Sequence, residues 1–363
     1  MNTVKQETLA LMKELTQVYG VSGQEEQVRE HLKPYYEELA DEVIYDNLGS
    51  IFAVKKSKQP NAFKLMIAGH MDEVGFVVKK ITANGLLEIA PIGGLWEQTL
   101  LSSRVTLINR DRKEFKGAIG SIPPHLLDEA TRAKPMKIDN MLVDLGFTSE
   151  EEIKTANIRI GDMVVVDGSF EVLGNGQRLL SKAWDDRYGL IMGIELLREF
   201  QDVDLPFDLI VGGTVQEEVG CRGAKTATYV VEPDLAIVLD CSPANDAKGY
   251  ESPTGGLGKG VLIRFLDKSY LPNRTWLHDF EDLCAKHQIA HQYYQSAGGT
   301  DAGQIHSSFA GIPTLTACIP ARYIHTNSSI IDVQDYLSAF DALKHILSEL
   351  NHVKWEAYRT NNR

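Results

Sequence analysis

Asp208-Leu209-Ile210-Val211-Gly212-Gly213-Thr214-Val215-Gln216-Glu217-Glu218 is an apolar run that ends on two adjacent carboxylates. A short continuous run of this kind reads as a buried strand. Glu217 and Glu218 then stand where the backbone turns out of a sheet, which is where open α/β sheets build their sites. Neighbouring side chains there point in different directions, so one glutamate can ligate a metal while the other takes a proton from water. Taken alone, the pair reads more simply as a solvated loop. Four other segments argue against that reading.

Ile67-Ala68-Gly69-His70-Met71-Asp72 is again an apolar run closed by polar groups. One ring nitrogen of His70 can bind a metal, and Asp72 is spaced to orient the imidazole through the other. Lys182-Ala183-Trp184-Asp185-Asp186-Arg187 precedes a helical pattern at Leu190, Ile191, Ile194 and Leu197, although two aspartates there also make an ordinary N-cap. Leu235-Ala236-Ile237-Val238-Leu239-Asp240 reads as a strand stopped by a carboxylate, and Tyr323-Ile324-His325-Thr326 follows the strand-like Thr314–Ile319. Two imidazoles and at least three carboxylates therefore sit at strand ends or helix starts. A cysteine-free set of this type suits zinc first, with cobalt or manganese as alternatives. Such a set is large enough for a two-metal hydrolytic site.

The organisation around these segments is mixed. Residues 4–19 read as an amphipathic helix, and Ser22 with Glu25 reads as a capping box for the next one. From about 75 to 175 the texture changes to short strands between Gly, Asn and Pro turns, which predicts a small β-barrel or sandwich. Helix–strand alternation resumes after Ser181. The expectation is an α/β, mixed-sheet catalytic domain (1–74 and 176–363) with an inserted β-rich, barrel-like domain (75–175).

The chain has 363 residues, 43% of them hydrophobic, and a net charge of −13, which argues against a nucleic-acid partner. No apolar stretch approaches membrane-spanning length, and Met1–Glu7 lacks signal-peptide character. The four cysteines, Cys221, Cys241, Cys284 and Cys318, form no CxxC pair and suit a reducing cytoplasm. Cys221 and Cys241, beside the candidate site, read as small packing residues.

The segments GHMDEVG (69–75), SKAWDDRYG (181–189), TVQEEVGCRGA (214–224), VLDCSP (238–243), GGTDAG (298–303) and RYIHT (322–326) resemble those of the glutamyl and deblocking aminopeptidases. These are cytosolic di-metal peptidases of the zinc exopeptidase clan, and the resemblance runs over nearly the whole chain. It implies metal ligation by His70, Asp185, Glu218, Asp240 and His325, with Asp185 bridging two divalent ions. It also implies Glu217 as general base, Asp72 orienting His70, and a cis bond between Asp185 and Asp186. The family's inserted domain mediates dimerisation, and its dimers form hollow tetrahedral dodecamers. Relatives carry Gly-Pro where this chain has Gly260-Val261.

The implied reaction is removal of N-terminal residues from peptides. An acidic preference needs a cation in the pocket, for which Arg264 is the candidate, while Thr300 and Asp301 read as the pocket floor. Arg264 reads alternatively as a surface group on an edge strand. Other clan activities stay open at this point: carboxypeptidase, N-deacylase, or chains labelled endoglucanase. A non-catalytic peptide-binding assembly protein is the contrasting class.

Overall fold

Parallel register is what assembles the site. In a computed structural model describing residues 4–249 and 255–360, Phe207–Thr214 and Phe63–His70 pair in parallel, with Thr214 opposite His70. Leu235–Ala244 lies on the other side of Phe63–His70, with Val238 opposite Ala68, so Asp240 falls level with His70 two residues on. Thr314–Arg322 extends the parallel core. All four strands are buried almost end to end, as parallel strands covered on both faces require.

Antiparallel strands complete an eleven-stranded mixed sheet among the described residues. Ile51–Lys55 and Glu42–Tyr45 flank one side; Ser329–Asp332, Arg178–Ser181 and Glu171–Leu173 flank the other. Val261–Leu266 pairs with both Thr314–Arg322 and His291–Gln295, so Arg264 stands on an interior strand, not an edge. Leu235–Ala244 also differs from expectation: the strand runs four residues past Asp240, whose side chain is turned into the site from within the sheet.

Helices Gln6–Gln17, Glu26–Leu39, Trp184–Glu199 and Val333–Glu349 pack one face through Leu15, Tyr36, Ile191 and Leu343. The shorter helices Arg222–Val231 and Ala302–Ile305 pack the other through Ala227, Val231 and Ile305. At the site end the Trp184–Glu199 helix meets the sheet at Gly69 and Gly189. A Cβ on Gly69 would lie 2.9 Å from the Gly189 Cα, so only glycine lets His70 and Asp185 come this close.

The predicted capping box does not form. The Glu26–Leu39 helix has no side-chain cap bond; instead Ser22 donates to Asp72, and Glu25 accepts from the main-chain N–H groups of Gly23 and Gln216. Both residues serve the loops around the site. Val261 donates its N–H to the Ala290 carbonyl, a bond that proline at this position would forfeit.

Between the first and second candidate ligand segments, six strands close into a barrel. Their order is Gly75–Ile81, Leu86–Ile92, Leu142–Asp144, Glu114–Ile119, Arg104–Ile108 and Met163–Val166. Glu171–Leu173, inside the segment read from sequence as β-rich, pairs back into the large sheet. No helix among the described residues is long and apolar enough to cross a membrane. Met1–Thr3, part of the amino-terminal stretch read for leader character, lie outside the described residues.

Candidate active site

The predicted residues converge at the carboxyl ends of the parallel strands. Asp185 is the centre. Its Oδ1 lies 2.9 Å from His70 Nε2 and its Oδ2 lies 3.1 Å from His325 Nε2. Glu218 Oε1 lies 3.3 Å from the same His325 nitrogen and is buried without a hydrogen-bond partner. His70, Asp185 and Glu218 each place one ligating atom within 4.8 Å of the others. The Asp185–Asp186 bond is cis.

Both imidazoles are oriented by main-chain carbonyls. His70 Nδ1 donates to the Asp72 carbonyl at 3.0 Å, and His325 Nδ1 donates to the Gly94 carbonyl at 2.8 Å. In each ring Nε2 is left to face Asp185, the arrangement that fixes a tautomer for ligation. Gly94 belongs to the chain between two barrel strands, so the inserted segment helps shape the site.

Asp72 differs from its expected geometry in an informative way. Its carboxylate stands 3.5 Å from His70 Nδ1, farther than its own carbonyl, and spends its oxygens elsewhere. It accepts from Ser22 Oγ at 2.6 Å and from the N–H groups of Glu217 and Glu218 at 3.0 and 3.1 Å. Asp72 therefore holds the turn that carries both glutamates. Ala183, Gln216 and His325, each beside or within a candidate ligand segment, adopt left-handed backbone with φ between 55° and 60°. Non-glycine residues held this way cluster where a surrounding framework imposes them.

The charges show what kind of group the site suits. Burial pushes the Glu217 carboxyl up to about 8, with Asp301 adding to the push and His70 opposing it. Burial and the Asp185 charge bring Glu218 to about 7 and raise Asp240 well above the usual carboxylate range. Burial also works against a charged Asp185, but hydrogen bonds to His325 and His70 outweigh it and hold that carboxyl below its ordinary range. His325 is driven up to about 10, burial being outweighed by its Asp185 bond together with the Glu218 and Asp185 charges and the Gly94 carbonyl. Several buried carboxyls thus share too little positive charge. An unpartnered carboxylate oxygen, two pre-oriented imidazoles and excess carboxyls fit divalent cations well.

A cleft of about 1000 Å³ opens over this centre, lined by Asp185, Glu217, Glu218, Asp240, Arg264, Lys268 and the 294–299 segment. Arg264 is buried in its wall, 3.3 Å from Asp267 Oδ2, 2.8 Å from Ser242 Oγ and against the Tyr294 ring. Thr300 and Asp301, expected at the pocket floor, lie behind the wall that Gly298 and Gly299 form. Asp301 accepts the Thr214 hydroxyl and approaches Glu217 and Cys221. Ser22, Glu25, Lys268 and Tyr294 were not singled out from sequence as site residues. Only the Val21–Glu25 turn carried any polar signal, and that signal read more simply as a helix start.

A family model described as M42 glutamyl aminopeptidase matches residues 49–341. The glutamyl aminopeptidase of Lactococcus lactis subsp. cremoris is 39% identical over 346 residues, 94% of this chain and 96% of its own. The lysyl aminopeptidase of Pyrococcus furiosus is 32% identical over 346 residues, again 94% of this chain and 96% of its own. A TET aminopeptidase from a marine-sediment archaeon of the Thaumarchaeota superimposes with a TM-score of 0.92 at 36% identity, covering 97% of this chain and 99% of that one. The Pyrococcus horikoshii TET1 peptidase, which can assemble into a tetrahedron or a large octahedral shell, gives a TM-score of 0.85 at 28% identity over 94% and 100%. With matches that run through both the sheet and the barrel, this chain belongs to the M42 glutamyl aminopeptidase family of peptide hydrolases.

Proposed function

We propose that this chain is a two-ion aminopeptidase that releases acidic residues first, and others more slowly, from the free N-termini of peptides. The observation that carries the two-ion reading is the division of one carboxylate between two imidazoles, Asp185 Oδ1 toward His70 and Oδ2 toward His325. In this reading His70 and Asp240 complete one position, Glu218 and His325 the other, and Asp185 serves both. When bound, the ions supply Lewis acidity toward the scissile carbonyl and toward the attacking water.

The protein's own groups do the rest. Glu217 shares its turn with Glu218 and lines the same cleft, accepting from Cys221 Sγ at 3.2 Å. Glu217 takes the proton of the attacking water and passes it to the departing amine nitrogen. Asp72 holds the Glu217 N–H so that this carboxylate stays aimed into the cleft.

The acidic preference rests on the cations of the cleft wall. Arg264 sets a positive field there, and the exposed Lys268, in the same wall, is free to approach an incoming carboxylate. The 39% identity to an enzyme named for glutamyl substrates supports this; with a 32%-identical relative named for lysyl substrates, this reading leaves the choice between side chains to the wall. We also read the chain as a homo-oligomer built through the barrel segment, a tetrahedral dodecamer, because a 28%-identical peptidase assembles into such shells. Its four free cysteines suit the cytoplasm.

The test is a panel of aminoacyl chromophores with chelated protein and with added zinc, cobalt or manganese. The expected result is cleavage of free-amine glutamyl substrate only after a divalent ion is restored, and none of its N-acetylated form. Ion-independent cleavage, or cleavage of the blocked substrate alone, would overturn the reading.

A further inference from the structure

Three charged residues of the candidate ligand motifs take no part in the reaction proposed above. Glu73 follows the His70 segment; Lys182 and Arg187 flank Asp185. All three are buried. Lys182 Nζ donates to both Glu73 oxygens, at 2.6 and 2.8 Å, and to the Val18 carbonyl at 3.2 Å. Arg187 donates Nε to the Met71 carbonyl at 3.0 Å and Nη1 to the carbonyls of Leu15 and Val18 at 2.7 and 2.8 Å. Its Nη2 stands 3.5 Å from Glu73.

We propose that Glu73, Lys182 and Arg187 form a clamp that sets the spacing between His70 and Asp185 and thereby the affinity of the site for its ions. The residues on each side of Asp185 grip those on the far side of His70: Lys182 takes Glu73, and Arg187 takes Met71. Asp186 closes the remaining gap by accepting the His70 N–H at 3.1 Å. Asp185 is thus held by its neighbours in sequence, while its own oxygens stay available to the two imidazoles. The clamp also anchors both segments to the end of the first helix, at Leu15 in its last turn and at Val18 just past it.

A charged clamp suits this position for a second reason. Lys182 shares the wall of a chamber of about 30 Å³, room for one or two waters, with Asp185, Glu218 and His325. The cluster carries two cations against one carboxylate, so it places net positive charge behind a centre rich in acids. An apolar trio would pack there but would leave the buried carboxylates without that field. These are positioning residues, since none ligates or touches substrate in this reading.

The inference rests on the two-ion reading and is tested separately from it. Zinc affinity is measured by chelator competition, and cobalt(II) bound to the chelated protein is followed by its visible spectrum. Lys182→Met and Glu73→Gln are expected to weaken ion binding by about tenfold to a hundredfold, the scale for losing a group that orients ligands. They should also alter the cobalt bands and lower kcat with little change in KM. Removing one partner leaves a buried charge alone, so the paired variant Glu73→Gln/Lys182→Met guards against simple unfolding. It should fold and still bind weakly. Leu343→Ala, in the core, controls for lost stability: its Tm should fall with ion affinity intact. Wild-type affinity in any folded clamp variant overturns the clamp. A wild-type chain that binds no ion overturns the two-ion reading itself.

Discussion

The end of the large sheet and the interior of the barrel are built on opposite terms. Around the parallel strand ends lie buried His70, Asp72, Glu73, Lys182, Asp186, Arg187, Asp240 and Arg264. The barrel core is Phe76, Val78, Leu87, Ile89, Val105, Leu107, Ile119, Val143, Val164 and their neighbours, and Asp162 is the one buried charged group between Gly75 and Val166. A closed barrel satisfies its own backbone and has no edge to protect, so apolar burial suffices to hold it. The sheet end cannot be explained that way, because burying unneutralised carboxyls works against folding. One region is shaped by its own stability and the other by what it must bind. They meet at Gly94, whose carbonyl reaches from the barrel segment to His325.

If the contrast is real, the sheet end should respond to single atoms. Asp185→Ala has the largest expected effect: both ions lost by metal analysis and activity abolished, because in the proposed two-ion reading one carboxylate serves two positions. His70→Ala or His325→Ala should chiefly empty one position. Two ions retained in Asp185→Ala would end the bridging assignment. Glu217→Gln comes next, with turnover down by a factor of about 100 or more while both ions stay bound. An unchanged kcat would take Glu217 out of the mechanism.

The barrel should answer through assembly instead. Ile122 and Leu126 are exposed apolar groups on the loop after one of its strands, and the fold of the single chain gives them nothing to cover. Ile122→Asp/Leu126→Asp is expected to lower the mass seen by light scattering, with cleavage of a dipeptide chromophore kept within about threefold. A wild-type chain that scatters as a monomer at micromolar concentration would break this half of the comparison. Loss of ions in the double variant would show that the barrel acts on the centre through Gly94.

How legible each region was in the sequence follows from the same contrast. The sheet end could be read because apolar runs closing on His70, Glu217 and Glu218 are rare by chance. The barrel could be read as β-rich from its turn spacing, but closure and strand order depend on pairings between distant segments that no local pattern encodes. Asp240 was found for a partly wrong reason, since its strand does not stop there. Ser22 and Glu25 were misread because a Ser-x-x-Glu spacing is the same whether the hydroxyl caps a helix or bonds Asp72 across the fold. The Glu73, Lys182 and Arg187 cluster was invisible because contacts across more than a hundred residues leave no spacing to read.

The smallest expected effect concerns the cleft wall, where the two cations differ in freedom. Arg264 is buried and committed to Asp267 and Ser242, and the nearby carboxylates of Asp240 and Asp267 raise its already high pKa against burial. Arg264→Ala should therefore lower kcat/KM for N-terminal Leu as well as Glu, because it leaves Asp267 buried without its partner, with Glu losing somewhat more as the positive field of the wall goes. Lys268 is exposed and faces the same cleft. Its pairing with a substrate carboxylate is an exposed one, worth up to about 1 kcal/mol, so Lys268→Ala should cost Glu about fivefold and spare Leu. The loss should shrink as salt is raised, since exposed charges are screened within about a Debye length. If instead Arg264→Ala spares Leu and removes only Glu, the buried guanidinium reads the side chain itself. The wall would then resemble the candidate metal centre, a buried charge kept for what it binds, more than it resembles a solvated surface.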